Sequence, residues 1–345
     1  MALLGYALHP GGEIFQARGY GDAGISTGPL TPVVGWGSEV SVLTMPAMLG
    51  RVLLFTSPLV GSVGYTPLTE QSDRLTPAGV VAREILDYPS YVKFFKPLFY
   101  LLKHEGKRAV TSLDVELVLG WGVGRRVAVI AAHDSQRGER YLKRAMKILE
   151  GGGELPWSGE LSVPKPISRP AEGLRIALLD LGRNLSLERT LSSLGQLDIY
   201  PPSAIPPLQY DILVISSGPG EPVDGRVEGY VRAALDKWLG SRPVAAVGHG
   251  ALALFKCIGV GLEWKEERGV VEILRPSGGG FRGEAVILHS LRPLPDGWEV
   301  VLQGEGVGGR EDIAWVSEEE RVGCLITEDT GEGILPILEA LEVLR

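Results

Sequence analysis

The spacing of apolar positions along the chain changes character near its middle. In the second half, short wholly apolar runs alternate with amphipathic stretches. Leu174–Leu179, Ile212–Ile215 and Val244–Val247 read as buried strands. Leu185–Leu194, Val227–Leu239 and Gly250–Ile258 read as helices between or after them. Strands that alternate with helices in this way predict a parallel, doubly wound sheet. From Val270 to Leu325 the runs are short and rich in glycine, as antiparallel strands are. Ile334, Ile337, Leu338, Leu341 and Leu344 share one helical face and predict a closing helix over 334–344.

The first half is less regular. Val52–Phe55, Val80–Ala82 and Val127–Ala132 are strand-like runs, and Tyr91–Lys103 groups Phe94, Phe95, Leu98, Leu101 and Leu102 on one helical face. This half predicts a mixed α/β domain rich in turns. Between the halves, residues 150–173 hold Gly151, Gly152 and Gly153, then Pro156, Pro164, Pro166 and Pro170, with neither period surviving. The expected division is a domain over 1–149, a linker over 150–173 and a second domain over 174–345.

Composition narrows the class of protein. A chain of 345 residues, 44% hydrophobic and 22% charged, suffices for two cores. Its net charge of -8 gives no broad electrostatic reason to expect nucleic acid or an anionic membrane as partner. The apolar stretch 46–68 is broken by Arg51, glycines and prolines, so it reads as a buried strand with turns and not as a membrane span. Met1–Phe15 lacks the pattern of a signal peptide. Two cysteines, Cys257 and Cys324, form no disulfide framework and no metal-type pair. A reducing, cytoplasmic setting is the expectation.

Three strand-to-helix turns carry candidate chemistry. They are Leu179-Asp180-Leu181-Gly182-Arg183-Asn184, Ile215-Ser216-Ser217-Gly218-Pro219-Gly220-Glu221-Pro222, and Ala246-Val247-Gly248-His249-Gly250. In order and spacing they resemble the D-x-G-x-K-x-N, S-N-G-P-G-D-P and G-I-C-L-G-H-Q motifs of class I glutamine amidotransferases. The first points to the carbamoyl-phosphate synthase branch of that family. Residues 51–65, with Glu70, Ser72, Gly79-Val80-Val81, Arg83 and Leu113-Asp114-Val115, are similar to the small-chain domain particular to that branch. The resemblance implies a class I amidotransferase-like domain behind a small-chain N-terminal domain. It implies a large partner chain holding ATP and Mg, since this chain has no G-x-x-x-x-G-K-S/T loop. It also implies glutamine as the small-molecule ligand.

Glutamine hydrolysis of this kind needs a cysteine thiolate in a tight elbow, a histidine to activate it and a glutamate to orient the histidine. Backbone N–H groups of the G-P-G loop stabilise the oxyanion. On this chain the nucleophile position falls on Gly248 and the histidine position on Ile326, while the glutamate is kept as Glu328. Gly218, Gly220 and Gly250 remain as vestiges of the ligand site. His249 and His289 are the other candidate bases. Cys257 lies too far along the helix after the elbow to replace the nucleophile, and reads as a small core residue. The family's glutamine-contacting loop is shortened around Glu39–Gly50, and its G-H-x-x-x-N-H-P segment has no counterpart in 266–280. The expectation is a carbamoyl-phosphate synthase small chain, serving arginine and pyrimidine synthesis, that has lost its glutaminase. Two alternatives stay open: a scaffold without a synthetase partner, and a glutaminase with an unorthodox nucleophile.

Overall fold

The computed structural model describes residues 3–33, 39–62, 64–65, 69–90, 96–153, 160–182, 184–220, 225–264, 269–274, 283–287, 291–306, 309–327 and 332–344. The chain divides into two compact units, 1–156 and 157–345.

The first unit is built on a closed barrel of seven strands: β1 (Leu3–Leu8), β2 (Ile14–Gly21), β3 (Gly24–Val33), β4 (Val52–Phe55), β5 (Gly79–Val81), β6 (Arg108–Thr111) and β7 (Arg126–Ala132). They close in the order β1-β2-β6-β5-β4-β3-β7, with β7 returning to pair with β1. The run β3-β4-β5-β6 is parallel and the remaining pairs are antiparallel. Strands in a barrel send alternate side chains inward. Ala7, Leu30, Val52, Leu54, Val81, Val110, Val127 and Val129 accordingly form one buried cluster. Leu8, Ala128 and Ile130 face the other way and are covered by a helix.

Four helices decorate the barrel: α1 (Glu39–Thr44), α2 (Leu98–His104), α3 (Val115–Leu119) and α4 (Ser135–Glu150). Asp114 caps α3 by accepting from Glu116 N at 3.0 Å, and Asp134 caps α4 by accepting from Arg137 N at 2.7 Å. Residues 39–50, expected as a shortened loop, are helical from Glu39 to Thr44 and again from Pro46 to Met48. The helix expected over 91–103 begins only at Leu98 among the described residues, because Pro97 sits at its N-cap in an extended conformation. Phe94 and Phe95 lie outside the described residues.

The second unit holds β8 (Ile167–Arg169), β9 (Leu174–Leu179), β10 (Gly195–Tyr200), β11 (Ile212–Ile215), β12 (Val244–Val247), β13 (Gly261–Trp264), β14 (Gly269–Leu274), β15 (Gly283–Ile287), β16 (Leu291–Leu294), β17 (Glu299–Gly306), β18 (Gly309–Ser317) and β19 (Val322–Leu325). Ten of them make one sheet in the order β15-β14-β17-β18-β19-β12-β11-β9-β10-β8. Its centre, β10-β9-β11-β12-β19, is parallel, and both flanks are antiparallel. β13 and β16 pair separately. Of the parallel strands, β11, β12 and β19 are buried throughout and β9 from Ile176 onward, as strands covered on both faces are. The helices here are α5 (Leu185–Leu194), α6 (Gly225–Trp238), α7 (His249–Cys257) and α8 (Leu335–Ala340).

Two boundaries differ from the sequence reading. The stretch 150–173 includes β8, an edge strand paired antiparallel with Leu197–Ile199, so it is not linker throughout. The closing helix stops at Ala340 because Glu342 takes a positive φ of 55°. Ile334, Ile337, Leu338 and Leu341 are nevertheless buried against the sheet. No described helix is long and apolar enough to cross a membrane.

Trp238 ties α6 into this core. It is fully buried, and its Nε1 donates to Pro206 O at 3.0 Å. Trp238→Phe removes that donor and part of the ring. A loss of about 1–3 kcal/mol is expected in urea unfolding, with unchanged m value. Wild-type stability in the variant would show that this anchor contributes nothing.

Candidate functional site

The chain runs from β9 outward to β10 and then returns to the other side of β9 to form β11. The carboxyl ends of β9 and β11 therefore flank a topological switch point, the usual ligand crevice of such sheets. The turns leaving β9, β11 and β12 meet there.

Their polar groups are bonded to one another. Asp180, fully buried, accepts from Gly182 N at 3.0 Å and from Val163 N at 2.7 Å. Ser216 Oγ accepts from Leu181 N at 2.8 Å and donates to Ser217 O at 2.8 Å. Ser217 Oγ accepts from His249 N at 3.2 Å. Asn184 caps α5, its side-chain oxygen accepting from Ser186 N at 3.0 Å and Leu187 N at 3.2 Å. The three turns are thereby locked into one buried network.

Gly248 occupies the hinge between β12 and α7, with φ 53° and ψ −123°. Its N–H donates to Leu325 O at 2.7 Å, so the end of β19 is held against the elbow. Ile326, the next residue, is buried and donates its own N–H to Ile313 O at 2.9 Å. The structure thus brings Gly248 and Ile326, the residues that the resemblance puts at the nucleophile and histidine positions, to adjoining strand ends. Gly248 adopts a conformation that costs a residue with a Cβ on the order of 1–3 kcal/mol.

The vestigial glycines are explained largely by packing. A Cβ on Gly218 would lie 2.2 Å from Leu181 O, and one on Gly250 2.4 Å from Ser216 O. Gly220 has φ 103° and faces His249 Cε1. A Cβ on Gly182 would lie 2.8 Å from Gly218 Cα, so the crevice between the β9 and β11 turns is closed by backbone.

His249 is fully buried, and its Nδ1–H donates to Gly218 O at 3.2 Å. That bond pins the G-P-G loop to the start of α7. Glu328 and His289 lie outside the described residues.

Cys257 ends α7, about 13 Å of helix from the elbow at 1.5 Å per residue. It is half-buried, and its Sγ approaches Glu228 O at 3.6 Å. Burial pushes its thiol up to about 11, against smaller opposing effects of Arg232 and Lys256. Burial also pushes the Cys324 thiol well up. Neither is an activated nucleophile. Among the described residues, no group of three or more His, Cys, Asp or Glu is placed to hold a metal ion.

In the first unit, Ser72 is buried and its Oγ donates to Thr44 O at 2.6 Å and Arg74 O at 2.9 Å. Arg51 is buried, with Nε donating to Ala47 O at 3.1 Å. Tyr65 donates its hydroxyl to Glu70. Arg83 is exposed. Sequence reasoning singled out these residues but not the bonds that hold them, whose partners lie 2–28 positions away.

The three turns and the sheet between them make an α/β domain with Gly248 at the elbow after its central strand β12. Residues 8–119 match the family described as carbamoyl-phosphate synthase small chain, CPSase domain. The chain is 25% identical over 269 residues to the carbamoyl phosphate synthase small chain of Methanosarcina acetivorans, covering 70% of each. It is 26% identical over 234 residues to that of Thermosynechococcus vestitus, covering 61% of each. Among solved structures it resembles a glutamine amidotransferase from Thermotoga maritima, with TM-score 0.35, 16% identity, and coverage of 50% of this chain and 84% of that one. A glutamine amidotransferase from Methylobacillus flagellatus gives TM-score 0.34 at 16% identity, with 46% and 70% covered. The chain is thus similar to carbamoyl-phosphate synthase small chains and carries their small-chain domain.

Two tests follow from this geometry. Gly248→Cys is expected to release no ammonia from glutamine, because Ile326 supplies no base where the family has its histidine and an unassisted thiol is mostly protonated at neutral pH. Robust turnover by this single variant would reveal a base already in place. The raised pKa of Cys257, about 11 against an ordinary 9.0, leaves roughly 100-fold less thiolate at neutral pH. Iodoacetamide labelling at Cys257 is therefore expected to be slow at pH 7 and to accelerate up to about pH 11. Labelling at the rate of a free thiol would contradict the burial.

Proposed function

We propose that this chain is the small subunit of a carbamoyl-phosphate synthase whose glutaminase has been lost. In this reading the complex makes carbamoyl phosphate from bicarbonate, ATP and free ammonia, for arginine and pyrimidine synthesis in the cytoplasm. The ATP and Mg sites lie on the large partner chain. The observation that carries the reading is the pairing of a recognisable small-chain domain with an elbow whose nucleophile and histidine positions hold Gly248 and Ile326.

The chemistry supports it. A thiolate is required to attack the glutamine amide, and neither cysteine is at the elbow or inclined to ionise. The polar residues at the three turns are spent on one another. Their arrangement preserves the fold at the carboxyl edge of the sheet, and Ile326 puts an apolar side chain where the family has its histidine. The first unit meanwhile keeps Arg83 exposed although no hydrolytic role falls to it.

The test is co-expression with a large chain followed by gel filtration and assay. The expected result is a stable complex that makes carbamoyl phosphate from ammonia, while the small chain alone releases no ammonia from glutamine. Elution as a lone species of about 37.0 kDa, with the large chain fully active without it, would leave the scaffold reading. Ammonia release lost on His249→Ala would leave the unorthodox glutaminase.

A further inference from the structure

Charge is unevenly divided between the two units. The first carries 16 Lys and Arg against 14 Asp and Glu, the second 18 against 28. Within the first unit the excess is concentrated on α4. One face of that helix packs Gly138, Ala145 and Leu149 against the barrel, with Tyr141, Leu142 and Met146 beside them. The opposite face presents Arg137, Arg140, Lys143, Arg144 and Lys147, all exposed. At 100° per residue these five fall within about a third of the helix circumference, in a stripe about 15 Å long.

Among the described residues, Arg137 alone of the five has a carboxylate within ion-pair distance, Asp134 at 3.5 Å. The others stand at i, i+3 and i, i+4 spacings from one another: 140 and 143, 140 and 144, 143 and 147, 144 and 147. Like charges at these spacings destabilise a helix, and acidic residues there would stabilise it. Glu139 and Glu150 stand at i, i+4 and i, i+3 from Lys143 and Lys147 and offset part of that repulsion, whereas Arg140 and Arg144 have no acidic residue at either spacing.

We propose that the outward face of α4 is a docking surface for an acidic patch on the large partner chain. This rests on the small-subunit reading and names the surface that reading leaves open. Extended polyanions are disfavoured, because a net charge of -8 repels them at long range. A compact acidic protein patch meets the stripe without encountering the rest of that field. A second copy of this chain is the chief rival, since its second unit is acidic. A contact between two different patches is heterologous, however, and assembles without end unless it closes. A distinct partner avoids that.

The test compares wild type, Arg140→Glu/Arg144→Glu and Arg140→Lys/Arg144→Lys for binding to the purified large chain at 50 and 500 mM NaCl. The wild-type Kd is expected to rise at least tenfold between those salts. The Glu variant is expected to bind at least tenfold more weakly at 50 mM and to lose most of the salt dependence, mainly through slower association. The Lys variant is expected to bind within about threefold of wild type. The Glu variant's Tm is expected to equal or exceed that of wild type, because two like-charge contacts become attractive. Unchanged Kd and salt dependence in the folded Glu variant would overturn the surface while leaving the subunit reading intact. Failure of wild type to bind would overturn both. Stripe-dependent self-association, or stripe-dependent capture of a homopolymer RNA in place of the large chain, would overturn the assignment of the partner.

Discussion

The carboxyl edge of the second unit depends on one backbone reversal, at Gly248. There β12 ends, α7 begins, and the Gly248 N–H holds the end of β19 through Leu325 O. The same turn sets His249 against Ser217 and Gly218, and so fixes the loop after β11. That loop in turn seats Ser216 on Leu181 and closes the crevice at Gly182. In a glutaminase this reversal holds a reactive side chain under strain. Glycine keeps the path of the backbone and releases the strain. Glycine at 248 lets the sheet keep this reversal without the strain that a side chain would carry there.

The two units divide the evidence for function. The second holds a hydrogen-bonded network at the strand ends where the resemblance would place a substrate. The first carries the small-chain domain match over 8–119, an exposed Arg83 and the basic face of α4. On the proposed reading, a subunit that no longer supplies ammonia contributes through assembly, and its assembly features are expected on the first unit.

Much of the central sheet was legible in the sequence. β11 and β12 are wholly apolar runs, and β9 is apolar but for Arg175 near its start; all three are bounded by Gly, Pro, Asp or Ser, and their limits agree with the sequence reading residue for residue. β10 escaped because Gly195–Tyr200 alternates buried and half-buried positions and includes Gln196 and Asp198. Among the described residues, the helix expected over 91–103 is absent at Lys96 and Pro97, where proline removes a donor, and the closing helix ends early because the turn at Glu342 has no sequence signal. Of the site, the three strand-to-helix turns were legible from motif order. The bonds among Asp180, Ser216, Ser217 and His249 were not, since they join residues distant in the chain. The α4 stripe was present in the spacing of 137, 140, 144 and 147, and a helical projection of that segment reveals it.

The most direct measurement follows the nitrogen. The purified complex is supplied with glutamine labelled with ¹⁵N at the amide together with unlabelled ammonium, and then with the labels exchanged. The nitrogen of the carbamoyl phosphate is read after trapping it in a stable product. The account predicts label only when ammonium carries it, at every glutamine concentration. Label passing from the glutamine amide into carbamoyl phosphate would contradict it.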